Sequence, residues 1–600
     1  MADKNLKSRE EINAKYKWDL DAMYPNEENW FKDVDECIAA AEKFTAYKGH
    51  LADSSKTLYE ALCEKDRIIR KLMNAYVYSM MRKDQDTRVD KYQAMNDKCK
   101  SAVAKVSAAL SFFSPELLSE SEEKILGFID ENSDLKLYEF ALKDGLREKE
   151  HVLTAPEESI LAQLSEVTGA PGEIFNMLNN ADLTFGEIIY QNENTVNLTH
   201  GNYISFMQNS DRKVREAAFT GMYKAYKGLI NTLSTTYNNS VKTTVTTTRI
   251  RKYPSARQAA LSGGNIPETV YDNLISEVHE YFPVMYKYVG LRKKLLGVKD
   301  LKMYDVYVPL VELADKKDIP FEEGVKIMLE ALSPLGDEYV KQVKRGTEEG
   351  WIDVYENQGK RSGAYSFGSY DSKPYILLNY TDTLSDVFTL VHEMGHSMHS
   401  YYTRKTQPYT YGGHSIFTAE VASTVNEALL IQHLLKNNDD LQMRKYLLNH
   451  YIEGFRTTLF RQTMFAEFEN ITHKEVENGG VLTANYLCET YDKLNKAYFG
   501  PEISEDEYIK YEWARIPHFY RPFYVYQYAT GYSAATAISK KILTEGAEAR
   551  DNYIEFLKSG DSNYPVELLK IAGVDMSSPT PVHLALETFK ELVDEFEKLI

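Results

Sequence analysis

Two histidines four residues apart, His392 and His396, flank Glu393 in the stretch TLVHEMGHSMHS. On a helix turning about 100° per residue, such positions lie about 40° apart on one face, so both imidazoles can reach one ion at about 2.1 Å. Glu393 falls beside them, near enough to work on a water held by that ion. With 13 histidines and 89 acidic residues in 600 positions, chance supplies this HExxH pattern roughly 0.04 times at most. The chemistry it points to is metal-assisted hydrolysis, set against the plainer alternative of polar residues on a helix surface.

The flanks predict a helix: Thr383 can cap it, Asp386 stands three residues on as an acidic variant of a capping box, and an amphipathic run follows. A catalytic zinc takes three protein ligands and keeps one position open. A metzincin would carry Gly at 399 and a third histidine at 402, where this chain has His399 and Tyr402, so that class is excluded. The next helical run, SIFTAEVASTVNEALLIQHLL, offers Glu420 and Glu427, seven residues apart and therefore on one face. One can ligate the ion while the other orients a ligating histidine through a hydrogen bond. Spacing alone does not choose between them. The apolar neighbours Val421, Ala422, Val425, Ala428 and Leu429 mark a partly buried helix rather than a solvated acidic stripe.

The elements that must position these residues are mostly helical. WFKDVDECIAAAEKFTAYKG and KYQAMNDKCKSAVAKVSAALSFF carry apolar residues at threes and fours. The β-branched stretch TTYNNSVKTTVTTTRIRKYPSARQAAL is ambiguous by propensity and is read as helix. EIIYQNENTVNLTH predicts a small hairpin near 186–200, and GAYSFGSYDSKPYILLNY, residues 363–380, predicts two short strands. Chain length favours several subdomains, with a boundary near residue 200 separating an N-terminal helical domain, 1–200, from a catalytic domain, 201–600. The fold class expected is mainly α: a large multi-lobed helical protein enclosing a cleft or cavity, with a small sheet beside the histidine helix.

The net charge of −19, without any Lys/Arg block, argues against nucleic acid and anionic lipid as partners. No apolar signal-peptide core and no run of about 18 apolar residues occurs, so no membrane partner and a cytoplasmic location are expected. Cys37, Cys63, Cys99 and Cys488 lack paired spacing and read as reduced thiols.

HEMGH followed by FTAEVAST resembles the oligoendopeptidase F branch of the thimet-oligopeptidase zinc peptidases. LTHGNYISFMQNSDRKVREAAF, YSFGSYDSKPYILLNYTDTLSDVFTLVHEMGHSMHS and RIPHFYRPFYVYQYATGYSAA resemble segments of that family in the same order, so the likeness takes in essentially the whole chain. It implies one Zn²⁺ per chain held by His392, His396 and Glu420, with Glu393 as general base and Glu427 behind the ligands. It also implies that His518 and tyrosines of the following segment donate to the tetrahedral intermediate and the substrate backbone. His518 precedes a helix that Pro522 would open, with Tyr524, Tyr528 and Tyr532 every four residues on one face. His518, Tyr524 and Tyr528 are the donors expected, and Tyr526 and Tyr532 are the alternatives. His399 and His414 lie near the motif without an assigned role.

The function expected is therefore endoproteolysis of short oligopeptides by metal-activated water. Two rivals stand beside it: a helical peptide-binding scaffold with an inert HExxH, and a dipeptidyl carboxypeptidase on a related fold, for which Arg521 is the nearest basic anchor. The glycines of TYGGHS suggest a hinge near the site.

Overall fold

The computed structural model describes residues 6–190, 194–312 and 318–600. They fold mainly into helices, and packing groups the chain into two compact units of three stretches each. One unit comprises residues 1–152, 316–434 and 538–574; the other comprises 153–315, 435–537 and 575–600. These units do not divide at residue 200, because segments far apart in sequence pack side by side within each. Thr403 donates to the Leu557 carbonyl at 2.9 Å in the first unit, and Tyr271 to the Ala466 carbonyl at 2.5 Å in the second.

The helices used below are α1 (Glu27–Phe44), α2 (Ser55–Gln85), α3 (Asp90–Leu110), α4 (Ala155–Met177), α5 (Ile230–Ile250), α6 (Leu384–Thr406), α7 (Ile416–Lys436), α8 (Arg461–Glu477) and α9 (Tyr526–Glu545). The strands are β1 (Glu187–Tyr190), β2 (Asn194–Asn197), β3 (Ile352–Asp353), β4 (Tyr365–Phe367) and β5 (Tyr375–Leu377).

In the first unit, Trp30, Val34, Cys37, Ala41 and Phe44 recur at fours and threes on α1 and are all buried. They join Leu58, Ile68 and Leu72 of α2 and Cys99, Ala102 and Val106 of α3 in one core. Tyr375 and Leu377 of β5 belong to the same core, which anchors the sheet to the helices. The strand order is β3-β5-β4, with β5 parallel to β3 and antiparallel to β4. β4 and β5 are the two strands predicted in 363–380. β3, two residues long, is too short for alternation to reveal. β4 is left at the sheet's edge, and all four cysteines are free.

The histidine helix α6 starts where its cap predicts. Thr383 Oγ1 accepts the Asp386 N–H at 3.2 Å, and Asp386 Oδ2 accepts the Thr383 N–H at 3.0 Å. Ser397 ties α6 to the sheet, 2.8 Å from Ser366 Oγ of β4 and 3.2 Å from the Pro374 carbonyl. On its other side α6 meets α7 at Gly395. A Cβ there would sit 2.5 Å from Ser423 Cα and 2.6 Å from the Ala422 carbonyl oxygen. Glycine is thus required by the approach of two backbones, and Asn426 of α7 reinforces it by donating to the Val391 carbonyl at 3.3 Å.

In the second unit β1 and β2 form the small antiparallel hairpin, whose connecting residues 191–193 lie outside the described ones. α5 is helical despite its β-branched composition, because Leu233, Tyr237, Val241, Val245 and Thr248 bury one face at steps of four, four, four and three. Tertiary burial outweighs the small per-residue propensity differences.

Gly395→Ala is expected to destabilise the first unit by about 1–3 kcal/mol, the usual cost of overpacking where backbone cannot yield. Thermal unfolding checks it, and an unchanged Tm would show that the helices separate freely.

Candidate active site

α6 and α7 bring three side chains of the first unit together. His392 Nε2 and His396 Nε2 each lie 3.5 Å from Glu420 Oε2. One ligand atom from each of the three residues can be chosen so that all lie within 4.8 Å of one another. The two imidazole planes stand at 82°, so their nitrogens converge from different directions. Among the described residues, this is the trio that meets that test. Two imidazole nitrogens and a carboxylate oxygen on two rigid helices fit a small divalent cation with an open position.

Glu427, one face further along α7, comes within 3.4 Å of His392 Nδ1, the ring nitrogen turned away from Glu420. The choice that spacing left open is thereby divided: Glu420 faces both Nε2 atoms, while Glu427 backs one ring. Ser423, absent from the sequence-based candidates, donates to Glu420 Oε2 at 3.2 Å. Glu393 is 8% exposed, and the backbone of Ser366 on edge strand β4 acts on its carboxyl, favouring the charged form.

Charge and burial divide these groups. Burial lifts the Glu393 carboxyl above the ordinary range, although His392 and His396 pull it the other way. Burial would lift Glu420 as well, but His396, His392 and Ser423 overcome it and bring it to about 2. For His392, burial works against the charged ring, and the carboxylates of Glu427, Glu393 and Glu420 outweigh it, giving about 9.

His518, Tyr524 and Tyr528 belong to the second unit and gather there. The His518 ring lies parallel to Tyr524 with centroids 6.0 Å apart, and Tyr528 is edge-on to both at 6.0 and 5.5 Å. Burial and nearby Arg521 lower the His518 pKa, keeping the ring neutral with one N–H to donate. The helix does not open at Pro522: α9 begins at Tyr526, after a short 3₁₀ turn at Pro517–Tyr520. Phe523 stands between them with φ of +54°, so Tyr524 precedes the helix and the single four-residue tyrosine face does not form. Buried Tyr526 packs on Tyr271 at 5.1 Å, and Tyr532 on Phe455 at 5.0 Å; both are core residues.

The remaining candidates also find places. His399 and His414 stack on each other at 4.3 Å, and burial pushes both imidazoles down, His414 to about 4. The glycines of TYGGHS serve close packing: a Cβ at Gly412 would strike the Tyr370 ring at 2.3 Å, and one at Gly413 would lie 2.8 Å from Asp561 Oδ2. Neither has a positive φ, so the expected hinge is a packed corner. Arg521 lies over the Tyr524 ring, 5.8 Å from its centroid. Sequence reasoning missed Gly395, Ser423 and Ser366. A glycine inside a strong helix was the one local sign among them.

Comparison with known proteins shows the family. The model of peptidase family M3 matches residues 205–588, and that of Oligopeptidase F matches residues 116–185. Oligopeptidase PepF of Bacillus subtilis is 48% identical over 99% of this chain and 89% of its own length. Group B oligopeptidase PepB of Streptococcus agalactiae is 44% identical, covering 99% of this chain and 98% of its own. The crystal structure of oligoendopeptidase-F from Enterococcus faecium superposes with a TM-score of 0.74 at 39% identity, covering 96% of this chain and 98% of that one. With a family model over more than half its length and relatives this similar from end to end, the chain belongs to peptidase family M3, among the oligoendopeptidase F metallopeptidases.

Proposed function

We propose that the protein cuts short oligopeptides internally with one zinc ion held by His392, His396 and Glu420, and with Glu393 as general base. The observation that carries this reading is the convergence of two Nε2 atoms and one carboxylate oxygen beside a buried second carboxyl. Zinc bound by such a set supplies Lewis acidity toward water and toward a peptide carbonyl.

The chain's own groups do the rest. Glu393 takes a proton from the attacking water and returns it to the leaving amine; its raised pKa suits a group that must both accept and give. The Ser366 backbone favours the charged form of that carboxyl, against its burial. Glu427 orients the His392 ring through Nδ1, which leaves Nε2 to the ion. The neutral His518 ring and the Tyr524 and Tyr528 hydroxyls are proposed as donors to the developing oxyanion and to the substrate backbone. An extended substrate pairing with edge strand β4 would run beside the histidine helix, since Ser366 of that strand lies 2.8 Å from Ser397 of α6.

Digestion of peptides, with and without chelator, tests the whole reading. Internal cuts that vanish with chelator and return with zinc are expected; intact peptides with metal-replete protein would favour the scaffold, and terminal dipeptides alone the exopeptidase.

Three substitutions separate the roles. Glu393→Gln is expected to keep zinc and lower kcat by about 10²–10⁴-fold, the usual contribution of a positioned base; undiminished turnover by zinc-loaded protein would remove Glu393 from the mechanism. Glu420→Ala is expected to lose zinc in equilibrium dialysis, whereas Glu427→Ala weakens affinity by only about 10–100-fold. Equal retention by Glu420→Ala and the parent protein contradicts the ligand assignment. Tyr524→Phe is expected to lower kcat by more than it alters KM.

A further inference from the structure

α4 carries apolar residues that its own unit leaves uncovered. Ile160, Leu164, Val167 and Ile174 are 57%, 46%, 68% and 49% exposed. At helical rise they form one face about 21 Å long. Beside this face α4 and α5 frame a groove of about 570 Å³. One wall presents Leu161 and Leu164, and the other presents Thr243, Thr246 and Thr247. The threonine-rich stretch that makes α5 a surprising helix therefore lines this groove.

Thr244 uses its hydroxyl on the Ser240 carbonyl at 3.2 Å, a bond within the helix. Among the described residues, Thr243, Thr246 and Thr247 make no such bond. Leu161 and Leu164 beside threonine hydroxyls, in a groove that Glu158, Lys242 and Arg251 also line, suit an extended peptide, whose apolar side chains take the leucines and whose backbone N–H and C=O groups take the polar lining.

Beyond Thr168, the last α4 residue that lines the groove, the helix continues to the His518 segment. Near the C-terminal end of α4, Phe175 stacks on Tyr520 with centroids 4.5 Å apart, and Tyr520 follows His518 by two residues. Leu164 to Phe175 spans about 16 Å of helix, the reach of about five extended residues.

We infer that the α4–α5 groove is a remote subsite for the apolar residues of an oligopeptide whose reacting part lies at the His518 segment. This rests on the donor role proposed for His518, Tyr524 and Tyr528. Contacts so far from the reacting bond supply binding energy that longer substrates can use and shorter ones cannot. A second copy of the chain is a poorer occupant. Glu166 and Glu173 run along one side of α4, and a two-fold axis through the apolar face would set that acidic edge against itself.

The test compares a peptide of about five residues with the same peptide extended at either end by about five Leu- and Val-rich residues, digested by the zinc-loaded enzyme. For the wild type, kcat/KM is expected to be higher for one extended peptide than for the short one. In Leu161→Ser/Leu164→Ser that advantage is expected to shrink about five-fold, through KM, as apolar contact is lost. Thr246→Val, a near-isosteric change on an exposed position, is expected to shrink it too, which guards against misfolding as the cause. Glu166→Gln, on the opposite edge, keeps it. An advantage that persists in both groove variants at wild-type Tm, or that the wild type never shows, overturns the proposal. A wild-type dimer that Leu161→Ser/Leu164→Ser dissolves in sedimentation velocity also overturns it, and assigns the face to a second copy. Failure of the donor reading shows separately, as unchanged kcat for Tyr524→Phe on the short peptide.

Discussion

The convergence of His392, His396 and Glu420 depends on how closely two backbones approach at Gly395. The imidazoles stand on α6 and the carboxylate on α7, and where these helices cross they lie nearer than side chains normally permit. A Cβ at 395 would sit 2.5 Å from Ser423 Cα. Removing that one carbon lets Glu420 Oε2 stand 3.5 Å from both Nε2 atoms. The same crossing puts Ser423 on Glu420 and Glu427 behind His392. A glycine inside a helix costs roughly 0.5–1 kcal/mol relative to alanine, which this packing more than offsets.

Once the helices touch, burial sorts the acids. Glu393 is buried and Glu420 is partly exposed, and their pKa values move apart: two imidazoles and Ser423 hold Glu420 charged, while desolvation favours the neutral form of Glu393. A permanently charged carboxylate suits a ligand, and one that gains and loses a proton easily suits a base. The small sheet takes part in this division, because Ser366 of edge strand β4 favours the charged form of Glu393 through its backbone and meets Ser397 on α6 through its hydroxyl.

The second unit solves a different problem: how to present a histidine and two tyrosines in fixed mutual orientation. Its device is a strained turn. Phe523 adopts φ of +54°, an arrangement that costs of order 1–3 kcal/mol in a non-glycine residue. Buried Glu469 of α8 holds it, accepting the Phe523 N–H at 3.0 Å, while the His473 ring packs on Phe523 at 4.7 Å. The turn delays the start of α9 to Tyr526 and lets Tyr524 lie parallel to His518, which a helix begun at Pro522 would have prevented.

Much of this was legible in the chain alone. HExxH on a capped amphipathic run, a second helix with two acids on one face, and two strands upstream are local patterns of spacing and residue type. Local patterns persist in the folded protein when burial agrees with them. What they could not carry was any relation between segments. Whether Glu420 or Glu427 faces the imidazoles, why Gly395 must be glycine, and how Ser366 reaches Glu393 depend on the approach of backbones that no periodicity records. The helix start at 526 escaped for a related reason: proline at a first position is a local preference, and the Glu469 bond that overrides it comes from another helix. The sequence by itself thus determined which groups could bind a metal and move a proton, because ligand chemistry and helical spacing are properties of short stretches. The tertiary structure alone decided that Glu420 faces both imidazoles and that Glu393 is buried with a raised pKa, because charge, desolvation and reach are set by neighbours distant in the chain.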